Sequence, residues 1–497
     1  MIRMRGHRRN RLAGVVALAL LFVVAAACDP EPPPPPPPAP ILTVTADPEI
    51  YPWFGAGVSD YVIRCTGAPV HLTVDAPEGT SISVAGQQAA SGQFVATVNA
   101  TTGQSFTIVD TTASRTYHVR CLPTDFPGFI ASRVGETQAE YYITAPNVST
   151  SLATVPTYAA IFDHNGVPVW WSTKLPTLFA EVLPAGDVIY TSRDAGKVEA
   201  IHLDGTPAMT PVTSSTGPLD EHDVLLLSNG NYLVTANKQV PDYDFSSWGA
   251  AAPAAPATLL DHVLQEITPA GDVVWEWDAA ASGHISVAET DPAWRNVAKV
   301  IYPGVVDAFH WNSVEATPTG YLVSFRHLNA VYHIDRTTGD IDWKLGGTDR
   351  PGKSLDVIGD PVFDAGGTFG GQHDARLLAD GTVTVFDNGN NGPANPARPP
   401  RAVRYAVNFF GTATFVEQVG DPAIPVSIWG GSARRLDGGN WVVAFGGTDT
   451  VDEMQPDGNR VFHLHIGPGA GIYRVVPVPY GRLTIDQLRA GMDTQYP

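Results

Sequence analysis

The sequence predicts an all-β protein, a six-bladed β-propeller preceded by a small N-terminal β-sandwich. Three observations carry that expectation. The 497 residues include 48 Gly and 43 Pro, with 44% hydrophobic and only 16% charged residues. That balance excludes charge-rich disordered chains and long coiled coils and favours short strands between turns. Two turn patterns then alternate along most of the chain, and no long amphipathic helix breaks them. The charge balance bounds the partners as well. Fifty acidic against thirty basic residues leave a formal charge of −20, which repels phosphate backbones and anionic lipid, so no nucleic acid is expected.

Residues 1–28 read as an export signal. Arg3, Arg5, Arg8, Arg9 and Arg11 precede the apolar run 12–24, which is too short to span a bilayer permanently. Ala25, Ala26 and Ala27 before Cys28 resemble a bacterial lipobox, which implies that Cys28 is lipidated and the leader removed before it. Ordinary signal cleavage beside an incidental cysteine is the alternative, and Arg8-Arg9 leaves the general and twin-arginine export routes both open. The expected location is extracytoplasmic, at the cell membrane, through a lipid on Cys28. Residues 29–40 are dominated by a Pro run, a stiff polyproline spacer.

From 41 to 125 short alternating segments (42–46, 70–74, 94–98, 106–109 and 116–121) are separated by Gly, Pro, Asp and Ser. They predict a β-sandwich of roughly 80 residues, with the role of a spacer or interaction module. Cys65 and Cys121 end matching segments, Tyr61-Val-Ile-Arg-Cys65 and Tyr117-His-Val-Arg-Cys121. With Cys28 assigned to lipid these two form the expected disulfide, which an exported chain permits. Closing that loop is worth about 4 kcal/mol on the chain-entropy account.

Residues 126–497 carry the repeats. One motif places a turn glycine before a strand that often holds Trp: Gly166 with Trp170, Gly205, Gly271 with Trp275, Gly339 with Trp343, Gly411 with Phe415, Gly458 with Phe462. The other has the form L-x-x-G-x-x-x-V, at 183–190, 227–234, 378–385, 436–443 and more loosely 316–323. Two hairpin turns per unit give a four-stranded blade, and about six units close a propeller. Trp170, Trp275 and Trp343 are expected to pack between blades.

The second motif also locates candidate chemistry. His222 lies eight positions before Gly230 and His373 eight before Gly381, while Asn312 lies eight before Gly320 and His310 ten before. Equal offsets from equivalent turns mean equivalent places in successive blades. Residues two apart on a strand share a face, so His310 and Asn312 are expected to point the same way. Arg326 ends the strand that returns from Gly320, which brings it to the rim of His310. Three imidazoles, an amide and a guanidinium around one opening suit an oxyanion. Asp223 and Asp374 are expected to face the opposite way and pack blades, and His327, by alternation, to point away; His333 is given no role. Three histidines can hold zinc, but the adjacent Arg326 disfavours a second cation, so no metal is expected.

The stretches Glu221-His-Asp-Val, Asp307-Ala-Phe-His-Trp-Asn-Ser-Val, Ser324-Phe-Arg-His-Leu-Asn-Ala-Val-Tyr, Trp343-Lys-Leu-Gly-Gly, Gly371-Gln-His-Asp-Ala-Arg and Phe386-Asp-Asn resemble the bacterial arylsulfotransferases, which use aryl sulfates and not the nucleotide sulfate donor. The resemblance covers about residues 140–480. It implies a six-bladed propeller with an N-terminal β domain, His373 as a transiently sulfated nucleophile, and His222, His310 and Arg326 as its catalytic partners. Asn312 and Thr448 are implied in substrate binding. The implied partners are a small-molecule aryl sulfate and a phenolic acceptor, with no cofactor and with a homodimer left open. The chemistry is coherent: sulfuryl transfer resembles phosphoryl transfer, in which positioning and electrostatics dominate. Two rivals stand beside it. One is a non-catalytic surface propeller; the other is a quinoprotein-like oxidoreductase, suggested by 335–343 and distinguishable by its colour.

Overall fold

A computed structural model describes residues 42–497 apart from 56, 149–157, 174, 176, 193–194, 281–282, 391, 393–396, 409–410 and 468–469. The export leader, Cys28 and the Pro-rich segment lie outside the described residues. The chain is mostly β, as its alternation and turn chemistry predict.

Six sheets occupy residues 129–479. Sheet 1 joins the two ends of this region: Pro168–Thr173, Tyr158–Asp163, Ala139–Val148 and Ala470–Pro479, in that order. Sheet 2 has Ala180–Val182, Val188–Ser192 and Lys197–Ile201. Sheet 3 has Leu225–Leu226, Tyr232–Val240, Leu259–Ile267 and Val273–Asp278. Sheet 4 runs Trp311–Ala316, Gly320–Phe325, Ala330–Asp335, Ile341–Gly346. Sheet 5 runs His373–Leu377, Thr382–Asp387, Arg401–Asn408, Thr412–Val419, with Asp356–Ile358 added in parallel. Sheet 6 runs Ser432–Arg435, Trp441–Phe445, Thr450–Met454, Arg460–Ile466, and borrows Phe129–Arg133 as its outer strand.

The two repeats fall where their turn chemistry requires. The L-x-x-G motif makes the first hairpin of sheets 2 to 6, and the glycine-Trp motif the last hairpin of sheets 1, 3, 4, 5 and 6. At one such turn Asp335 accepts from the N–H groups of Thr337 and Thr338, and Gly339 supplies the φ of +75° that closes it. The Trp that follows ties its sheet to the next. Trp170 donates to Leu203 O at 2.8 Å and Trp275 to Arg336 O at 2.9 Å. Apolar clusters fill the spaces between sheets 3 and 4, 4 and 5, and 5 and 6. Each fully buried large apolar side chain there contributes roughly 1.5–3 kcal/mol.

Before these lie two further sheets. One has Thr43–Asp47, Val70–Ala76 and Gly92–Val98; the other has Ile50–Tyr51, Asp60–Arg64, Arg115–Leu122, Ser105–Asp110 and Ile82–Val84. Val44, Leu72 and Val74 of one share a buried core with Ile63, Ile108 and Val119 of the other. Cys65 and Cys121 are disulfide-bonded, with Cα atoms 5.3 Å apart, because Asp60–Arg64 and Arg115–Leu122 run parallel with Ile63 beside Cys121.

One element departs from the sequence expectation. An eleven-residue helix, Ile485–Gln495, closes the chain, started by a capping box of Thr484 and Gln487. It buries Leu488 and Met492, and Arg489 and Asp493 pair with Asp60 and Arg120 at 2.7 Å each. Residues 41–497 accordingly form one compact unit. Among the described residues no helix is long and apolar enough to cross a membrane.

Candidate active site

Sheets 3, 4 and 5 deliver the three histidines. His222 precedes the first strand of sheet 3, His310 precedes that of sheet 4, and His373 opens that of sheet 5. The His222 and His310 rings lie 5.1 Å apart between centroids. The Tyr473 ring stands between His222, at 5.4 Å, and His373, at 5.9 Å. Arg326 sits where the hairpin argument places it, its N–H donating to His310 O at 2.8 Å.

Each histidine has a different partner at Nδ1. His222 meets Asp220 Oδ1 at 2.5 Å, and Asp220 is oriented by Asn237 Nδ2 at 3.0 Å. Burial works against the His222 charge, but Asp220, with Glu221 and Asp307, outweighs it and raises the imidazole above its ordinary pKa. Asp220 in turn is lowered to about 2, burial being overcome by His222 and its hydrogen bond. His310 meets Asp307 Oδ2 at 2.5 Å. Burial, with His222 and Arg326 nearby, nevertheless holds His310 below its ordinary value. Of two neighbouring imidazoles, His222 is therefore the more basic. Asp307 also accepts from His262 Nε2 at 3.0 Å.

His373 has no carboxylate. Its Nδ1 meets Asn388 Oδ1 at 2.8 Å, and its Nε2 accepts from Gly430 N–H at 3.2 Å. Burial first, then Arg326, keeps this ring well below the ordinary imidazole range. It is a neutral imidazole at physiological pH, the form a nucleophile needs.

Arg326 lies over the Trp294 ring at 4.1 Å. Its Nη1 donates to His327 Nε2 at 3.0 Å and its Nη2 to Ile428 O at 3.0 Å, while Nε is buried without a partner. Burial lowers its pKa to about 10, so the guanidinium stays charged. A buried cation with a spare N–H beside a neutral imidazole is an oxyanion-binding arrangement.

Two alternation arguments fail here for the same reason. His310 has φ +54° and the strand register breaks between Trp311 and Ser313, so His310 and Asn312 are not simple two-apart neighbours. Asn312 is fully buried; its Nδ2 donates to Gln372 O at 2.8 Å and its Oδ1 has no partner. His327 does not point away. Arg326–Leu328 is a 3₁₀ turn, which rotates His327 beneath His310 at 4.8 Å between ring centroids. Its Nδ1 donates to Asp307 O at 2.7 Å, leaving Nε2 to accept from Arg326. The Thr448 hydroxyl donates to Phe445 O and accepts from Thr450 N–H, bonds internal to its own turn. His333 lies elsewhere, between Asp342 and Thr317.

Asp307, His310 and His327 put ligand-type atoms within 4.8 Å of one another. Those atoms are paired with each other and with Arg326, whose fixed charge disfavours a metal ion there. The sequence reading missed Asp220, Tyr473, Trp294 and Asn388 as site residues. Asn388 alone left a signal, in the Phe386-Asp-Asn stretch.

The sequence pattern of the family described as Arylsulfotransferase (ASST) matches residues 184–467, a span that contains all three histidines. The chain belongs to the arylsulfotransferase family. No curated protein matches the chain. It is similar in structure to a protein of unknown function from Bacteroides caccae, at 12% identity and TM-score 0.41, over 68% of this chain and 99% of that one. Virginiamycin B lyase from Staphylococcus aureus is similar at 11% and 0.33, over 72% and 91%. The β-propeller domain of Cps50 from Myceliophteria thermophila is similar at 12% and 0.32, over 68% and 89%. At such scores these neighbours say nothing about what the chain does.

Proposed function

We propose that this protein moves a sulfuryl group from an aryl sulfate to a phenolic acceptor through a sulfohistidine at His373, without a nucleotide donor. The observation that carries the reading is a buried His373 with an amide and no carboxylate at Nδ1, in the same cluster as a buried Arg326 whose Nε–H has no partner. His373 Nε2 attacks sulfur and its lone pair forms the N–S bond. The bond from sulfur to the aryl oxygen breaks, and the departing phenolate takes a proton from His222. The acceptor phenol then attacks sulfur, returns a proton to His222, and leaves the N–S electron pair on Nε2. Charge on the transferring group is met by Arg326, and by Gly430 N–H once Nε2 is engaged. Asn312 and Thr448 remain proposed substrate contacts.

The reading extends to architecture and place. The first strands of sheets 3, 4, 5 and 6, the strand Ala470–Pro479 and the first strand of sheet 2 pack in succession. That order supports a six-bladed propeller over residues 126–497 with these strands innermost, behind a small sandwich at 41–125. Residues 1–28 are taken as a lipoprotein signal and Cys28 as the membrane anchor on its Pro-rich spacer. Cys28→Ser then moves the protein from the membrane fraction to the soluble one. A wild-type chain that is already soluble and starts elsewhere than Cys28 overturns that part.

Incubation with 4-nitrophenyl sulfate and phenol tests the activity, with nitrophenol and phenyl sulfate formed in equal amounts. Without acceptor, a burst of nitrophenol and an acid-labile adduct of ~80 Da on the His373 peptide are expected for covalent transfer. An active enzyme with neither burst nor adduct refutes the sulfohistidine.

A further inference from the structure

His222 and His310 each present Nδ1 to a carboxylate, whereas His373 presents it to an amide. That amide cannot be turned round. Asn388 Nδ2 donates to Gly430 O at 2.8 Å and to Ser427 Oγ at 2.9 Å, and Ser427 Oγ itself donates to Gly446 O at 2.6 Å. Flipping Asn388 would set its oxygen against a carbonyl and against a hydroxyl whose proton is already engaged. The oxygen therefore faces His373, so Nδ1 carries the proton and the lone pair lies on Nε2. Asn388, Ser427 and His373 are all buried, and Gly430 closes the loop by donating to Nε2.

We infer that Asn388 is the positioning residue that fixes His373 in its Nδ1–H form and keeps the sulfated imidazole unstable enough to hand the group on. This rests on the sulfohistidine reading above. Once Nε2 bonds to sulfur, the ring becomes an imidazolium. A carboxylate at Nδ1 would neutralise that charge and turn the intermediate into a resting state. A neutral amide holds the proton and stabilises the cation far less than a carboxylate would, so Nε2 remains a good leaving group. The charged and titratable groups that face His373 are Arg326, His310 and His222, with the Tyr473 phenol ring beside them. The cationic ones work against positive charge on His373 and, with burial, outweigh the amide hydrogen bond that favours it. The carboxylate–histidine pairing used for proton transfer is withheld from the nucleophile alone.

The test is Asn388→Asp, close in shape, compared with the wild type and with Asn388→Leu. In the Asp variant the burst with 4-nitrophenyl sulfate is expected to persist, while the adduct on His373 survives at least tenfold longer in the presence of phenol and steady-state turnover falls by the same factor. The acid limb of its kcat/KM profile moves to higher pH, because His373 now protonates more readily. Asn388→Leu slows the burst itself by tenfold or more, because the tautomer is no longer fixed. Nitrogen-15 spectra of the His373 ring, read without any substrate, report Nδ1 protonated in the wild type and a raised titration midpoint in Asn388→Asp. An adduct in the wild type whose lifetime and pH profile are unchanged in Asn388→Asp overturns this inference and leaves the sulfohistidine standing. A wild type that transfers sulfuryl groups with no adduct removes both. A wild-type His373 with its proton on Nε2 overturns the positioning role whatever the activity.

Discussion

One residue along the chain separates two layers of this molecule that could hardly differ more. His222 and His373 belong to the layer described above, in which Arg326 Nε and Asn312 Oδ1 are buried without partners. Their sequence neighbours Asp223 and Asp374 belong to a network of matched charges. Asp223 accepts from Arg376 Nη2 and Arg474 Nη1 at 2.7 Å each, and from Val314 N–H at 3.1 Å. Asp374 accepts from Arg376 Nε at 2.9 Å, from Arg434 Nε at 2.8 Å and from Ala433 N–H at 3.1 Å. Burial opposes the Asp374 charge, yet Arg434, Arg376 and Arg474 outweigh it and hold its carboxyl below the ordinary range. The lower layer ties the segment before sheet 3 to strands of sheets 1, 4, 5 and 6 through opposite charges. The upper layer keeps polar capacity in reserve on a cation and an amide next to three imidazoles, a place where a ligand could use it.

The comparison can be broken by substitutions on either side. The largest effect is expected for His373→Ala: transfer falls by a factor on the order of 10³ or more, with a urea midpoint near that of the wild type. His373→Asn does not rescue it, since an amide is no nucleophile here. His222→Gln is next, lowering kcat about 10²–10⁴-fold as loss of a general acid does. The loss is steepest with aryl sulfates whose phenols are weak acids, and a uniform loss across leaving groups would deny His222 that role. On the other side, Asp223→Ala leaves Arg376 and Arg474 short of a counter-charge and is expected to cost ~3–5 kcal/mol of stability, read by urea unfolding. Equal stability losses from His373→Ala and Asp223→Ala would erase the distinction between the layers.

The smallest expected effect is also the one that sharpens the upper layer most. His222 is raised above its ordinary 6.5 by Asp220. Its pairing contributes stability that is complete below that value and is lost as pH rises through the folded pKa. Asp220, lowered from 3.8 to about 2, contributes stability present above 3.8 that is lost as pH falls toward 2. Asp220→Asn removes both slopes and moves the alkaline limb of kcat to lower pH, because the proton on His222 is released sooner. A pH–rate profile checks it; an unmoved alkaline limb assigns that proton elsewhere.

Much of this was legible in the sequence, for identifiable reasons. Glycine turns and their offsets report backbone conformation directly, so the six sheets and the meeting of His222, His310, His373 and Arg326 could be read from spacing. Cys65 and Cys121 were legible because their flanking strands repeat each other. The failures occur where local backbone departs from the regular strand. Asn312 and His327 were placed by period-two alternation, which the left-handed His310 and the turn Arg326–Leu328 interrupt. Tyr473 arrives on the strand Ala470–Pro479 with no repeat-equivalent histidine to announce it, and Trp294 arrives from a connection between sheets. Asp220 was invisible for a simpler reason. It precedes His222 by two residues in a loop, where spacing says nothing about direction.

Sheet 1 has a consequence for how the protein is made. Its strand Ala470–Pro479 pairs with Ala139–Val148, so contacts more than 300 residues apart in sequence, such as Thr144 with Val475, must wait until that strand has been made. That strand also carries Tyr473, between two of the histidines, and Arg474, which donates to Asp223 and to Asn312 O. At roughly 5–20 residues per second, a ribosome has exposed His222 long before it reaches the strand that will complete the pocket. A nascent or truncated chain therefore holds every one of the three imidazoles and still lacks a finished centre. Completion of this site is coupled to the arrival of the strand Ala470–Pro479.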